Sequence, residues 1–127
     1  LAAQRKSFAF ETTLAARTYA DWLAELKQQG YSVHLLYYWL ERPELAIERV
    51  ADRVRSGGHD IPEDTIRRRY SRSVRNFLEL YRPVVNTWQV YDNTGEDGQL
   101  IAFNNSFFDT ILHQERWELF NRSAGNE

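Results

Sequence analysis

Apolar residues recur along this chain with two different periods. At residues 7–13 (SFAFETT), Phe8 and Phe10 alternate with small or polar residues and give way to Glu11, Thr12 and Thr13. That pattern predicts a short strand running into a polar loop. Over residues 18–29, Tyr19, Trp22, Leu23 and Leu26 recur at helical spacing, and Gly30 marks the stop. Residues 31–40 (YSVHLLYYWL) are almost continuously apolar and are bounded by Gly30 and Pro43. A strand covered on both faces, as in a parallel sheet, is the expectation there.

Pro43 suits the first turn of a helix, where its missing N–H costs nothing. That helix is expected to run to about residue 55 with Leu45, Ile47, Val50, Ala51 and Val54 on its apolar face, and SGGHD at 56–60 breaks it. Pro62 starts a second helix, expected through residue 82, with a buried stripe of Ile66, Tyr70, Val74, Phe77 and Tyr81; Pro83 ends it. TWQVY at 87–91 reads as a strand, 92–98 as a turn, and QLIAF at 99–103 as the returning hairpin arm. Residues 107–120 are expected to form a last helix, and 122–127 a frayed tail. Strands alternating with helices in this order predict one α/β domain over residues 1–127, layered, with right-handed crossovers.

Composition narrows the chemistry. The chain has no Cys, so disulfides, thiolate metal sites and cysteine nucleophiles are excluded. Apolar residues are 43% of its 127 positions, enough for a packed core, and 4 Trp, 7 Tyr and 7 Phe supply much of it. No apolar run approaches the roughly 18 residues of a membrane span. No signal peptide is visible, and a cytoplasmic location is the simplest expectation. The chain opens on Leu1 and contains no Met, so an upstream segment is expected. No HExxH spacing and no GxSxG elbow occurs, so zinc-enzyme and serine-hydrolase readings have no footing.

Net charge is −2, which gives no overall attraction to nucleic acid. Its distribution is uneven. Arginines 53, 55, 67, 68, 69, 72 and 75 face only Asp60, Glu63 and Asp64 in that stretch, leaving it at +4 and the remainder at −6. Two readings stand side by side: a solvated helix face, or an anion site built from guanidinium groups.

Three stretches together carry a family resemblance: FETTLAARTY at 10–19, PELAIERVADRVRSGGHDIPEDTIRRRYSRSVRN at 43–76, and WQVYDNTG at 88–95. The chain resembles the zeta-toxin-like group of P-loop kinases over roughly residues 5–104. The resemblance implies a P-loop-NTPase-like fold, a mainly parallel sheet flanked by helices, with a helical lid at about 53–69. It implies ATP and Mg2+ as cofactors, and phosphoryl transfer to a hydroxyl of a small molecule or sugar nucleotide. It also implies a possible antitoxin partner, since toxins of this group are blocked by proteins covering the ATP cleft. An intact member begins with a strand and a GxxxxGK[ST] loop that cradles the phosphates. These 127 residues have glycines only at 30, 57, 58, 95, 98 and 125, and no Gly-Lys pair. The chain is therefore expected to be the C-terminal part of such a kinase and inactive alone. The alternative is a catalytically incompetent remnant acting as a protein-binding module.

By resemblance, Glu11 and Thr12 match positions that hold substrate hydroxyls, with Thr13 beside them; the other reading makes a threonine the cap of the next helix. Arg53 matches the arginine that reaches nucleotide phosphates and would stabilise charge in transfer. Arg55 is a second candidate. His59 falls where the family places another phosphate-contacting basic residue, or it is simply a turn histidine. Gly57 and Gly58 suggest a hinge. Among the three consecutive arginines, Arg67 and Arg69 flank the apolar stripe, Arg69 being the better placed to reach a cleft, whereas Arg68, Arg72 and Arg75 point the opposite way. By resemblance the loop opened by Asn93 lies near the nucleotide base. His34 reads as a satisfied core histidine, and His113 carries no motif.

Overall fold

The computed structural model describes residues 7–8, 14, 16–95 and 97–125. In chain order they form β1 (Ser7–Phe8), α1 (Thr18–Gln28), β2 (Ser32–Trp39), α2 (Pro43–Arg55), α3 (Glu63–Asn76), β3 (Thr87–Asp92), β4 (Gln99–Asn104), β5 (Asp109–Ile111) and α4 (Gln114–Arg122). A π-helical turn, Phe77–Tyr81, continues α3. The strands lie side by side in sequence order. β1, β2 and β3 run parallel, whereas β4 and β5 each pair antiparallel with the strand before.

The fold is thus α/β, as its alternating periods imply, but the sheet is mixed and not mainly parallel. The reason is local. Once β3 is complete, the turn after Asp92 reverses the chain, and short hairpin connections can only make antiparallel neighbours. The expected last helix over 107–120 is also corrected. Asn104 and Asn105 turn the chain: Asn104 Oδ1 accepts the Ser106 N–H (2.8 Å) and Asn105 Oδ1 accepts the Phe107 N–H (3.2 Å). The following residues then pair with the open edge of β4, Phe103 opposite Thr110, and α4 starts only at Gln114.

β2 follows the two-residue period of a strand. Val33, Leu35, Tyr37 and Trp39 are buried on one face, while Leu36 and Tyr38 are 48% and 55% exposed on the other. The expectation of a strand covered on both faces therefore fails among the described residues. Leu23 of α1, Val74 of α3 and Phe120 of α4 all join the cluster on the first face. On the second face Tyr38 stacks on Tyr91 with ring centroids 5.3 Å apart.

The core itself is aromatic. Phe77 sits edge-on to Tyr37, Trp88 and Phe120 with centroids 5.4, 5.5 and 5.6 Å away. Trp117 stacks on Trp88 at 5.6 Å. The apolar stripe Val74, Phe77 and Tyr81 is fully buried, as its spacing predicts, although the last turn loosens to π geometry. In α1 the expected face holds only in part: Leu23 is buried, whereas Tyr19 and Trp22 are exposed. In α2 only Val50 is buried, and Ala51 is exposed.

Candidate functional site

A cavity of about 640 Å3 opens between the carboxyl half of β2 and the α2–α3 pair. Ligands of open α/β sheets bind at that end of the strands. Ala46, Arg49, Val50 and Arg53 line it from α2, and Ile66, Arg69, Tyr70 and Ser73 from α3. Helical spacing explains both sets, since residues three and four apart share a face. Val50 and Ile66 are buried, and three arginines, Arg49, Arg53 and Arg69, line the same cavity.

The arginines of this region divide cleanly. Arg55 forms an ion pair with Asp52, and Arg67 with Glu44 (2.7 Å). That partner holds the Glu44 carboxyl below its ordinary range. Arg68 reaches Thr65 (3.3 Å), and Arg75 donates to the Ala124 carbonyl (2.9 Å), so Arg75 faces α4 and is half-buried, not turned to solvent. Arg53 and Arg69 have neither an ion pair nor a hydrogen bond to their side chains among the described residues, and both line the cavity. Arg49 joins them and donates from Nη2 to the Asn93 carbonyl (2.7 Å). Sequence reasoning missed Arg49, although its spacing of four from Arg53 was the available signal.

The remaining candidates fall elsewhere or outside the described residues. Glu11, Thr12 and Thr13 lie outside them. His59 is exposed in the 56–62 connection, and neither it nor Arg55 lines the cavity. Asn93 contributes its backbone: its N–H donates to the Trp39 carbonyl (2.7 Å) and its own carbonyl receives Arg49. His34 is satisfied by Thr87 Oγ1 at 2.6 Å from Nδ1, but it is half-buried on the second face of the sheet and lines the cavity. Tyr70 donates its hydroxyl to the Leu40 carbonyl, and burial pushes its pKa up, so it stays a neutral wall.

The Gly57–Gly58 pair closes α2. Gly57 has φ of +96°, and its N–H donates to the Val54 carbonyl (3.0 Å), while the Gly58 N–H donates to the Arg53 carbonyl (2.7 Å). These two bonds make a Schellman cap. Its crossing is tight, since a Cβ on Gly58 would lie 2.9 Å from the Arg53 oxygen. The glycines therefore fix the end of α2, and with it the backbone that carries Arg53.

Among the described residues no group of three or more His, Asp or Glu side chains is arranged to hold a metal ion, and no helix is long and apolar enough to cross a membrane. An uncharacterized protein of Haemophilus influenzae is 37% identical over 67 residues, which are 53% of this chain and 48% of that protein. The chain spans about half the length of this curated relative. No solved structure matches it. The family model for Zeta toxin matches residues 1–101, most of the chain and all of the cavity-lining helices. An α/β chain with three arginines lining a cavity at the carboxyl end of β2, matched over that span, belongs to the Zeta toxin family.

Proposed function

We propose that this chain supplies the lid and part of the ligand site of a kinase-like, nucleotide-binding protein, which transfers a phosphoryl group from ATP to a hydroxyl of a small molecule or sugar nucleotide. One observation carries this reading: Arg49, Arg53 and Arg69 converge on a single cavity, and Arg53 and Arg69 are paired with nothing among the described residues. Guanidinium groups gathered at one cavity are suited to a polyphosphate, because their planar fork pairs with phosphate oxygens in charge-assisted bonds. In phosphoryl transfer, charge spreads over the equatorial oxygens, and positioned cations stabilise it. In this reading Arg53 stabilises the transferring charge, Arg69 binds phosphate, and Glu11, Thr12 and Thr13 are the candidates for the acceptor hydroxyl. ATP with Mg2+ supplies the phosphoryl group. The cavity's cations fit its phosphates, and magnesium ligands are expected from the GxxxxGK[ST] loop.

The test is a nuclear magnetic resonance titration of this chain with inorganic pyrophosphate. The Arg53 and Arg69 guanidinium resonances are expected to shift together with a millimolar midpoint. Unmoved Arg53 and Arg69 signals at saturating pyrophosphate overturn the reading. Mg-ATP should bind this chain weakly, since each absent charge-assisted bond removes roughly 1.5–3 kcal/mol. A micromolar dissociation constant by calorimetry would contradict that. In a protein that also carries the P-loop, Arg53→Ala should slow turnover while leaving the melting temperature nearly unchanged.

A second reading, a catalytically incompetent remnant acting as a protein-binding module, is favoured by Phe107 and Phe108, 87% and 62% exposed at the β4–β5 turn. Substituting both with Ser would then abolish complex formation without altering pyrophosphate shifts.

A further inference from the structure

Beyond residue 101 the family match ends, yet α4 reaches back to the carboxyl end of the sheet. Arg116 is its contact. Its Nε donates to Asp92 Oδ2 (2.8 Å), and its Nη2 donates to Glu41 Oε2 (3.0 Å). Asp92 is the last residue of β3 and Glu41 follows β2, so one guanidinium clamps the ends of two neighbouring parallel strands. The plane of Trp39, the last residue of β2, lies beneath it, with the guanidinium carbon 5.3 Å from the ring centroid. Asp92 is buried, and Arg116 is half-buried. Burial works against the Arg116 charge, but Asp92 and Glu41 more than offset it and raise its pKa.

The clamp continues toward the cavity through an unbroken series of bonds. The other carboxylate oxygen of Asp92, Oδ1, accepts the Thr94 N–H (3.0 Å). Thr94 Oγ1 in turn accepts the Glu41 N–H (3.1 Å). Between Asp92 and Thr94 stands Asn93, pinned by its N–H to Trp39, and its carbonyl holds Arg49 at 2.7 Å. A carbonyl can orient a guanidinium only if its own peptide is fixed. The Asn93–Thr94 peptide is fixed through its N–H by Asp92, which Arg116 holds, and the Asn93 N–H by the carbonyl of Trp39, whose ring lies under Arg116.

We infer that Arg116 is a positioning residue for the anion site: through Asp92 and the 92–94 turn it sets the Asn93 carbonyl that aims Arg49 into the cavity. The inference rests on the reading of that cavity as a polyphosphate site, but its structural half stands apart from it. Arg116 touches no ligand in this scheme and acts through Arg49. A segment outside the family match thereby tunes a site made by residues within it.

Two measurements test this on the whole chain. The first is amide hydrogen exchange in the wild type, Arg116→Ala, Arg116→Lys and, as a control, Glu118→Ala on the exposed face of α4. Arg116→Ala should speed exchange at Asn93 and Thr94 by about tenfold or more, while Val90 and Ile101 in the core keep their protection. Arg116→Lys restores one charged contact but not the fork across two carboxylates, and should fall between. Unchanged exchange at Asn93 and Thr94, or an equal rise at Val90 and Ile101, overturns the inference. If Arg116→Ala does not fold, the lysine variant alone decides by the same criterion.

The second is pyrophosphate titration of Arg116→Ala, Arg49→Ala and the double variant. If Arg116 acts through Arg49, the double variant binds no more weakly than Arg49→Ala alone; additive losses overturn the coupling. A wild type that takes up no pyrophosphate refutes the polyphosphate reading and with it the ligand half of this inference, while the exchange result still decides whether Arg116 sets the turn.

Discussion

α3 and its π-helical continuation belong to two regions at once, and the regions are built on opposite terms. The amino-terminal part carries Ile66, Arg69 and Tyr70 into the cavity. The carboxyl-terminal part carries Val74, Phe77 and Tyr81, each fully buried, into the aromatic core. In the core Tyr37, Trp39, Phe77, Trp88 and Phe120 each meet another ring, and the buried polar groups are satisfied: Asn76 Nδ2 donates to the Leu14 carbonyl (2.7 Å), and Tyr37 bonds Ser73 Oγ at 2.7 Å. In the cavity Arg53 and Arg69 have no ion pair or side-chain hydrogen bond among the described residues. A side chain without a partner adds little to folding and remains available to a ligand. Stability and recognition are thus separated along one helix, and substitutions should sort by which part they strike.

The largest expected loss of stability lies in the core. Phe77→Ala removes the ring at the centre of three edge contacts and should cost about 3–5 kcal/mol, read as a fall in the urea midpoint. A cost below about 1 kcal/mol would mean that the core collapses around the gap and that the contrast is weaker than the packing implies.

Arg53→Ala and Arg69→Ala should behave in the reverse way. Each loses a charge-assisted contact worth about 1.5–3 kcal/mol, so pyrophosphate should bind roughly tenfold or more weakly. Unfolding free energy should stay within about 0.5 kcal/mol of the wild type, as for exposed positions generally. A large loss of stability in either variant would erase the division between the two regions.

Gly57→Ala probes the border between them. Its φ of +96° is costly for a residue with a side chain, by about 1–2 kcal/mol. The loss should appear as fraying at the end of α2, in faster exchange at residues 56–58, with a smaller effect on the core. A uniform change across the chain would show that the cap is coupled to the whole domain.

The smallest effect should come from Tyr37→Phe. Ser73 donates its own proton to the Tyr70 carbonyl (3.0 Å), so Tyr37 is the donor in their bond, and losing it should cost about 0.5–1.5 kcal/mol at neutral pH. Burial raises the Tyr37 pKa well above its ordinary value. Above about pH 10 the unfolded chain releases this proton and the folded chain retains it, so stability falls as pH rises. The phenylalanine variant should lose less stability per pH unit in that window, measured by urea unfolding at pH 9 and above.

Much of this was legible in the order of residues. The 3.6 period in α3 set which of its residues could face a core, because side-chain direction follows directly from backbone geometry, whereas the nearly continuous apolar run of β2 marked a strand without saying which face would be covered. The arginine excess between 53 and 75 marked the region of the cavity, and Arg53 and Arg69 both line it. Local pattern could not decide which arginines have partners. Arg67 is matched by Glu44, 23 residues away, and Arg116 by Asp92, 24 residues away. Such pairs exist only once the chain has brought distant segments together. The same holds for residues 107–112, whose apolar spacing suits a helix in isolation. The open edge of β4 offered them backbone partners, and the Asn104–Asn105 turn delivered them to it. Sequence alone determined the strands β2 and β3, the hairpin return into β4, the buried stripe at the end of α3 and the charge of the site. Tertiary structure decided the pairing of β5, the exposure of one face of β2, and which cations remain available, since each depends on what lies across space and not along the chain.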